Sequence, residues 1–430
     1  MNILTINAGD STGGADLVAT SVSDGLRSLG HRVWFASAVS DRKAPWSIQL
    51  GRDISYIASN PSAPLSRSTN AIKEDINEGY EIYDFLACWD LIKTIGTIPD
   101  LVHFHNLHGN FFDLRFMQWI SRRVPSVLTL HDAWLTSGNC AHSFECNRWS
   151  LGCGNCPDIS IYPGLKKDRT RENYIRKAEI LAKARYTVVS PAKWLLEKAQ
   201  RSILTPGAIG FKLIPNGVDL AMFRPREKGA IRNSLGISTD SIVILFAAHR
   251  FKVNHFKDFR SFLSVIDSIR HSNLKEHVHF LMLGDEMPTT RFGNVMISGF
   301  KYERSRIRVA ELFSCADIYL HLSKAETFPT AVLEAMASGL PVVANRVGGL
   351  AEQVRCLRGT GDICKATGLI AESAESKDVL PGLEDLITQK NVREILSKNS
   401  RMVAEAEFST QRMINQYAGL FAELTLQLST

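Results

Sequence analysis

Two carboxylates in the stretch Ile318–Ala344, Glu326 and Glu334, stand with seven residues between them. The stretch reads as strand, loop, helix, a cap at Gly339, and strand. Pro329 suits the first helical position, because its φ is preset and its missing N–H would be unpaired there anyway. Glu326 then falls in the loop above a strand, and Glu334 about one and a half turns into the helix. A single Glu is ordinarily a solvated charge. Glu334, however, is embedded in Ala331-Val332-Leu333 and Ala335-Met336-Ala337, where a carboxylate is partly buried and must find a donor, such as a ligand hydroxyl. The free N–H groups and the dipole at the helix start favour an anion such as a diphosphate at the same place.

His131-Asp132 follow the apolar run Ser126–Leu130, at the carboxyl edge where sheets of alternating strands and helices bind ligands; a histidine merely capping a strand end is the alternative. His103, His105 and His108 surround the end of another predicted strand. Their spacing suggests a metal, but no carboxylate stands among them in the sequence, which argues against one. Cys140, Cys146, Cys153 and Cys156 fall within an insert at 138–158 that ends in Cys-x-x-Cys. A structural zinc, two disulfides and four free thiols all remain open for this cluster, and a zinc here would stiffen a loop without doing chemistry.

The elements that must position these residues come from an ordinary globular composition. The chain has 430 residues, 45% hydrophobic and 22% charged, enough for two or three domains. No apolar run approaches the roughly 20 residues that span a bilayer. The start lacks a basic leader region, so the cytoplasm is the default compartment. A strand at 3–6, a loop with Gly13-Gly14-Ala15, a helix through Leu29 and a strand at 33–36 make a βαβ opening. Strands at 101–104, 126–130 and 187–189 continue it. Turn residues at Pro215-Asn216-Gly217 and the polar run Arg224–Gly229 mark a boundary. A second alternating series then places strands at 242–247, 279–284, 295–297, 318–322 and 341–344, with a helix from about Asp258 to Ile269. The predicted class is α/β, with parallel sheets in two domains, 1–215 and 226–405. A terminal segment, 406–430, carries a helix over Ser409–Leu428 with Met413, Tyr417, Leu420, Phe421 and Leu424 on one stripe.

The formal net charge is +6, and residues 160–228 hold 15 Lys and Arg against 6 Asp and Glu. That stretch is either a solvated face or a surface for anionic lipid or an acidic acceptor. It lacks the interleaved aromatics of a nucleic-acid platform, so no nucleic acid is expected. A nicotinamide dehydrogenase is disfavoured, since no Gly-x-Gly-x-x-Gly follows a strand.

Taken together, these motifs resemble the retaining glycosyltransferases of family 4, which have the GT-B architecture. The resemblance rests on Glu326, Glu334, Gly339, Pro341 and Val342, with Gly13-Gly14-Ala15, Pro99–His105, Leu130-His131-Asp132, Pro215–Asp219, Ala316-Asp317 and Val347-Gly348-Gly349 in matching order. The insert after Trp134 is similar to that of colanic-acid-type exopolysaccharide enzymes. The resemblance implies two Rossmann-like domains facing across a cleft, an acceptor-side domain at 1–215 and a nucleotide-sugar donor domain at 226–405, with the carboxyl-terminal helix at 406–430 returning to the first. It implies that Glu326 binds hydroxyls of a donor sugar, that Glu334 binds ribose hydroxyls, and that Thr327, Phe328 and Thr330 approach sugar and phosphates beside Gly13 and Gly14. Glu-Thr-Phe-Pro replaces the commoner Glu-Gly-Phe-Gly, and Pro329 offers no N–H. Lys257 aligns with a phosphate lysine and Arg250 with an arginine, for which Lys252 is the substitute. His131 would meet the donor sugar near the reacting carbon, and Asp132 would orient His131 or an acceptor hydroxyl.

The reaction so implied is front-side transfer from a nucleotide-diphosphate sugar to a glycan or lipid-linked acceptor in polysaccharide synthesis. It has no enzymic nucleophile and no required metal. It would take place in the cytoplasm, with contact to the inner face of the membrane through 160–228. A non-catalytic nucleotide- or sugar-binding member of the same fold is the alternative.

Overall fold

The computed structural model describes residues 1–11, 13–51 and 69–427. They form two compact units, Met1–Pro215 with Met413–Thr430, and Asn216–Arg412. Leu428, the predicted end of the last helix, lies outside the described residues.

The first unit is built on a sheet of β1 (Asn2–Asn7), β2 (Arg32–Ser37), β3 (Ser47–Gln49), β4 (Leu101–Phe104), β5 (Ser126–Thr129), β6 (Tyr186–Ser190) and β7 (Ala208–Leu213). Their order is β3-β2-β1-β4-β5-β6-β7, and every pairing is parallel. Parallel sheets are covered on both faces, so their strands read as apolar runs; β4 and β5 are buried at every position. On one face the helix Gly14–Ser28 buries Val18, Val22 and Leu26. Beside it lies the terminal helix Thr410–Leu426, whose stripe Met413, Tyr417, Leu420, Phe421 and Leu424 joins one apolar cluster with Ile3, Leu101, Val127 and Val189. The two helices approach so closely that a Cβ on Gly25 would sit 2.1 Å from Ile414.

The second unit repeats the plan with β8 (Ile242–Ala247), β9 (Val278–Gly284), β10 (Met287–Phe292), β11 (Val295–Lys301), β12 (Ile318–His321), β13 (Val342–Asn345) and β14 (Gly368–Ala371). The order is β10-β11-β9-β8-β12-β13-β14. The α/β class expected from the sequence therefore holds in both units, with one departure from parallel pairing. Strand β10 runs antiparallel to β11, through a two-residue Gly293-Asn294 turn with Gly293 at φ 60°, a loop length suited to a hairpin.

In each sheet the strand order reverses beside one central strand, between β1 and β4 and between β8 and β12. Loops leaving the carboxyl ends of strands at such a reversal are splayed apart and form the natural ligand crevice of a doubly wound sheet. The loops after β4, β8 and β12 carry His105–His108, Arg250–Lys257 and Glu326, respectively.

Candidate functional site

In the second unit Glu326 Oε1 is shared by three groups. They are the Lys257 ammonium, His321 Nε2 at 2.8 Å and Ser323 Oγ at 2.9 Å. Because His321 Nε2 faces a carboxylate it carries the proton, which leaves Nδ1 to accept from the Tyr319 hydroxyl at 3.0 Å. Burial works against ionisation of Glu326, but Lys257 and His321 outweigh it and hold the carboxyl well below the usual range. Burial, helped by Lys257, pushes His321 down, so the ring is neutral. Lys257 reaches this point because its backbone bridges Ser323.

Glu334 is 6% exposed on the helix Thr330–Ala337 and pairs with the guanidinium of Arg306. Burial raises its pKa and Arg306 restrains the rise. Pro329 takes the position before the helix, at ψ 125°, rather than the first helical position expected. Its extended ψ leaves its carbonyl to accept from Gln353 Nε2 at 3.0 Å, and it sets Glu334 just past one turn into the helix.

The loop from Ser323 to Pro329 is held from several sides. Asn345 accepts the Ser323 N–H at 3.0 Å and donates to the Ser323 carbonyl at 2.8 Å. Asn216 Nδ2 donates to the Phe328 carbonyl at 2.9 Å, and the Gly349 N–H donates to that of Thr327 at 3.1 Å. A Cβ on Gly349 would lie 2.1 Å from the Thr327 oxygen, so only glycine permits the approach. Arg250, after β8, is exposed and adopts φ 50°. Lys252 Nζ donates to the Glu286 carbonyl at 2.8 Å, which engages the lysine named as its substitute.

In the first unit His131 does not meet Asp132 among the described contacts. His131 Nε2 lies 2.8 Å from His105 Nδ1, while Asp132 Oδ2 is 2.8 Å from His108 Nε2 and its Oδ1 accepts the Trp134 N–H at 2.9 Å. The carboxylate that the sequence failed to place beside the histidines is thus Asp132, brought there from 24 residues away. Burial favours its neutral form, but His108 and the Trp134 N–H prevail and keep it ionised. Burial lowers His131 to about 4 and His103 to about 3, and His105 well below the ordinary value.

One proton is shared between His105 and His131. Among the described residues, His105 Nε2 is buried and has no hydrogen-bond partner. An orphaned lone pair there costs less than an orphaned N–H. His105 therefore donates from Nδ1, and the single proton of His131 sits on its own Nδ1. His103 Nε2 bonds Thr129 Oγ1 at 2.8 Å, which in turn meets the Tyr417 hydroxyl of the terminal helix at 3.0 Å. Gly13, at φ 103°, caps the helix that begins at Gly14, also in this unit.

All four insert cysteines are free thiols. Among the described residues no group of three or more His, Cys, Asp or Glu is arranged to hold a metal ion. Burial pushes the Cys153 thiol up to about 11. The basic stretch 160–228 is not one solvated face. Lys177 is fully buried against Glu81, Lys198 is 6% exposed, and Lys167 pairs with Glu78. No helix among the described residues is long and apolar enough to cross a membrane.

Arg306, His321, Ser323 and Asn345 escaped the sequence reading as partners of the site. His321 alone left a signal, a histidine ending an apolar strand five residues before Glu326. Arg306 left none, because its partner stands 28 residues away.

Two parallel-dominated sheets with ligand-facing loops at matching reversals define a GT-B fold, and solved structures agree. Sucrose-phosphate synthase from Thermosynechococcus elongatus superposes with a TM-score of 0.67 at 17% identity, covering 99% of each chain. Anabaena HepE in complex with UDP and glucose does so at 0.64 and 16%, covering 98% of this chain and 99% of that one. Residues 227–403 of the chain match the family Glycosyl transferases group 1. Over 99% of its length it is 25% identical to the whole of WcaC of Escherichia coli (strain K12), whose name assigns it provisionally to colanic acid biosynthesis as a glycosyl transferase.

Proposed function

We propose that this chain is a retaining glycosyltransferase that moves a sugar from a nucleotide-diphosphate sugar to a glycan or lipid-linked acceptor in polysaccharide biosynthesis. The observation that carries this reading is the meeting of Lys257, His321 and Ser323 on Glu326, one loop before the buried Glu334. The relatives' names, with UDP and glucose in one and colanic acid in another, support the substrate class.

In this reading Glu326, kept ionised, accepts hydroxyls of the donor sugar, and Glu334 accepts those of the ribose. The helix start at Thr330 faces the diphosphate. Lys257 and Arg250 stabilise the charge that grows on the departing diphosphate, which is where fixed cations lower a barrier most. The bond from the anomeric carbon to the diphosphate oxygen breaks, and one to the acceptor oxygen forms on the same face. The acceptor proton passes to a diphosphate oxygen, so no enzymic nucleophile or metal is needed. His131, with its proton on Nδ1, donates to an oxygen of the sugar.

The reading extends to an acceptor held at an anionic membrane surface. The contact is then made by the exposed cations Lys166, Arg171, Lys183 and Arg185, and retention on anionic vesicles at low salt tests it. The main experiment offers UDP-, GDP- and ADP-sugars to purified protein and follows nucleotide release and thermal shift. One nucleotide should stabilise the protein and be released, with both responses lost in Glu334→Ala and Lys257→Ala, and the product should keep the donor's anomeric configuration by NMR. Silence toward every donor, or an inverted product, would overturn the reading.

A further inference from the structure

Among the described residues the His105 side chain has one hydrogen-bond partner, His131, whose Nε2 lies 2.8 Å from its Nδ1. The two ring planes differ by 12°, and their centroids are 5.1 Å apart. A contact of 2.8 Å is shorter than stacked faces reach, so the rings meet edge to edge, with the N–H and the lone pair in plane. Other neighbours hold His105 in this attitude. Its backbone N–H donates to the Ile6 carbonyl at 2.9 Å, and its ring packs on His103 with centroids 4.0 Å apart. His103 is tied to Thr129 and flanked by Tyr417 and Phe421 of the terminal helix, at 5.1 and 5.2 Å between centroids. At the other end of the pair His131 is half-buried. Its Nδ1 bonds none of the described residues and is not among the buried unpartnered atoms, so it reaches solvent.

We propose that His105 is a positioning residue for sugar transfer: by donating from Nδ1 it fixes the His131 proton on the solvent-facing Nδ1, where that proton meets an oxygen of the donor sugar. The inference rests on the glycosyltransferase reading above. Which ring nitrogen of a neutral histidine carries the proton is set by the hydrogen bond that the other makes. His105 is 1% exposed, and the reverse arrangement would put its proton on the buried, unpartnered Nε2. Asp132, which the sequence offered for this role, is engaged by His108 and the Trp134 N–H instead. Released from His105, the His131 ring would exchange between its two tautomers, one of which turns a lone pair outward. A lone pair accepts from a hydroxyl and repels every other oxygen, whereas an N–H serves any oxygen that the sugar presents.

The test exploits two side chains of nearly equal size, of which only Asn can donate where His105 Nδ1–H does. His105→Asn should keep nucleotide release within about threefold of wild type, whereas His105→Asp, which accepts, should lower it by about tenfold or more. Nitrogen-15 NMR of histidine-labelled protein without donor reads the tautomer directly, with the His131 signal assigned by its loss in His131→Gln. His131 should carry its proton on Nδ1 in wild type and His105→Asn, and on Nε2 in His105→Asp. Equal losses of turnover in the two variants would mean that position 105 serves packing alone and would overturn the proposal. So would a wild-type His131 protonated on Nε2, a result that needs neither variant to fold. The expected tautomer in a wild type that releases no nucleotide from any donor would instead count against the glycosyltransferase reading, since the NMR measurement uses no donor.

Discussion

Around Glu326 and Glu334 the second unit sets two carboxylates against two cations, Lys257 and Arg306. Around His131 the first unit sets three imidazoles against hydroxyls and against one another. Both groups sit at the carboxyl ends of strands in seven-stranded sheets, so the backbone does not explain the contrast. The difference lies in what each partner does to a buried titratable group. At Glu326, where Lys257 stands close, burial loses and the charge persists, and at Glu334 Arg306 restrains the rise that burial causes; where only neutral groups stand close, as at His103, burial wins and the charge is expelled. A region meant to meet a diphosphate needs the first arrangement, and one meant to exchange hydrogen bonds with hydroxyls is served by the second.

The sharpest way to break this contrast is to delete a charge from the charged side. Lys257→Ala should lower the transfer rate by about 10²- to 10³-fold, the usual cost of removing one stabilising donor from an active site, as measured by nucleotide release at saturating donor. A fall of less than about fivefold would mean that the ammonium serves only to hold Glu326 in place.

The neutral side should reveal itself through acid. The unfolded chain takes up protons on His103 and His131 near pH 6.5, whereas the folded unit resists until about 3 and 4. Stability from these groups is therefore complete above pH 6.5 and is lost as pH falls toward the folded values, by about 2 kcal/mol for each histidine at pH 5. All seven tryptophans fall between Trp34 and Trp194, inside the first unit. Guanidinium unfolding followed by tryptophan emission at pH 7 and pH 5 thus reads this unit alone. An unchanged midpoint would show that the histidines are not buried as described.

Two smaller effects sharpen the comparison within the charged side. Gly349→Ala should press on the Thr327 carbonyl and cut transfer about tenfold, while circular dichroism stays as in wild type. Arg306→Gln removes the restraint on a pKa that burial already raises at Glu334. Nucleotide affinity in that variant should fall a few-fold at pH 6 and recover toward pH 8; a pH-independent loss would place Arg306 directly on the nucleotide.

The inner strands were legible because a parallel strand buried on both faces is written as an apolar run. Predictions at 101–104 and 242–247 match β4 and β8 residue for residue. Strands β3, β7, β10 and β14 were not legible. The first two and β10 are half-exposed and mixed in character, and β14 opens on Gly368, a residue that strands disfavour. The positions of Glu326 and Glu334 could be read from one continuous stretch. The pairings could not, since Arg306 with Glu334, Asn345 with Ser323, and His108 with Asp132 each join residues more than twenty apart, and periodicity carries no information about such contacts.

The terminal helix has a consequence for how the chain is made. Its residues Met413–Leu424 complete a core begun by Ile3, Val18 and Leu101, yet the ribosome delivers them only after the whole of Asn216–Arg412. The second unit is one uninterrupted segment and is free to fold as it emerges. The first must wait with the part of its sheet face beside the helix Gly14–Ser28 uncovered throughout that interval. During synthesis, therefore, the earlier-made half is the one that matures last, and its exposed sheet face is the surface on which chaperone dependence and aggregation should concentrate.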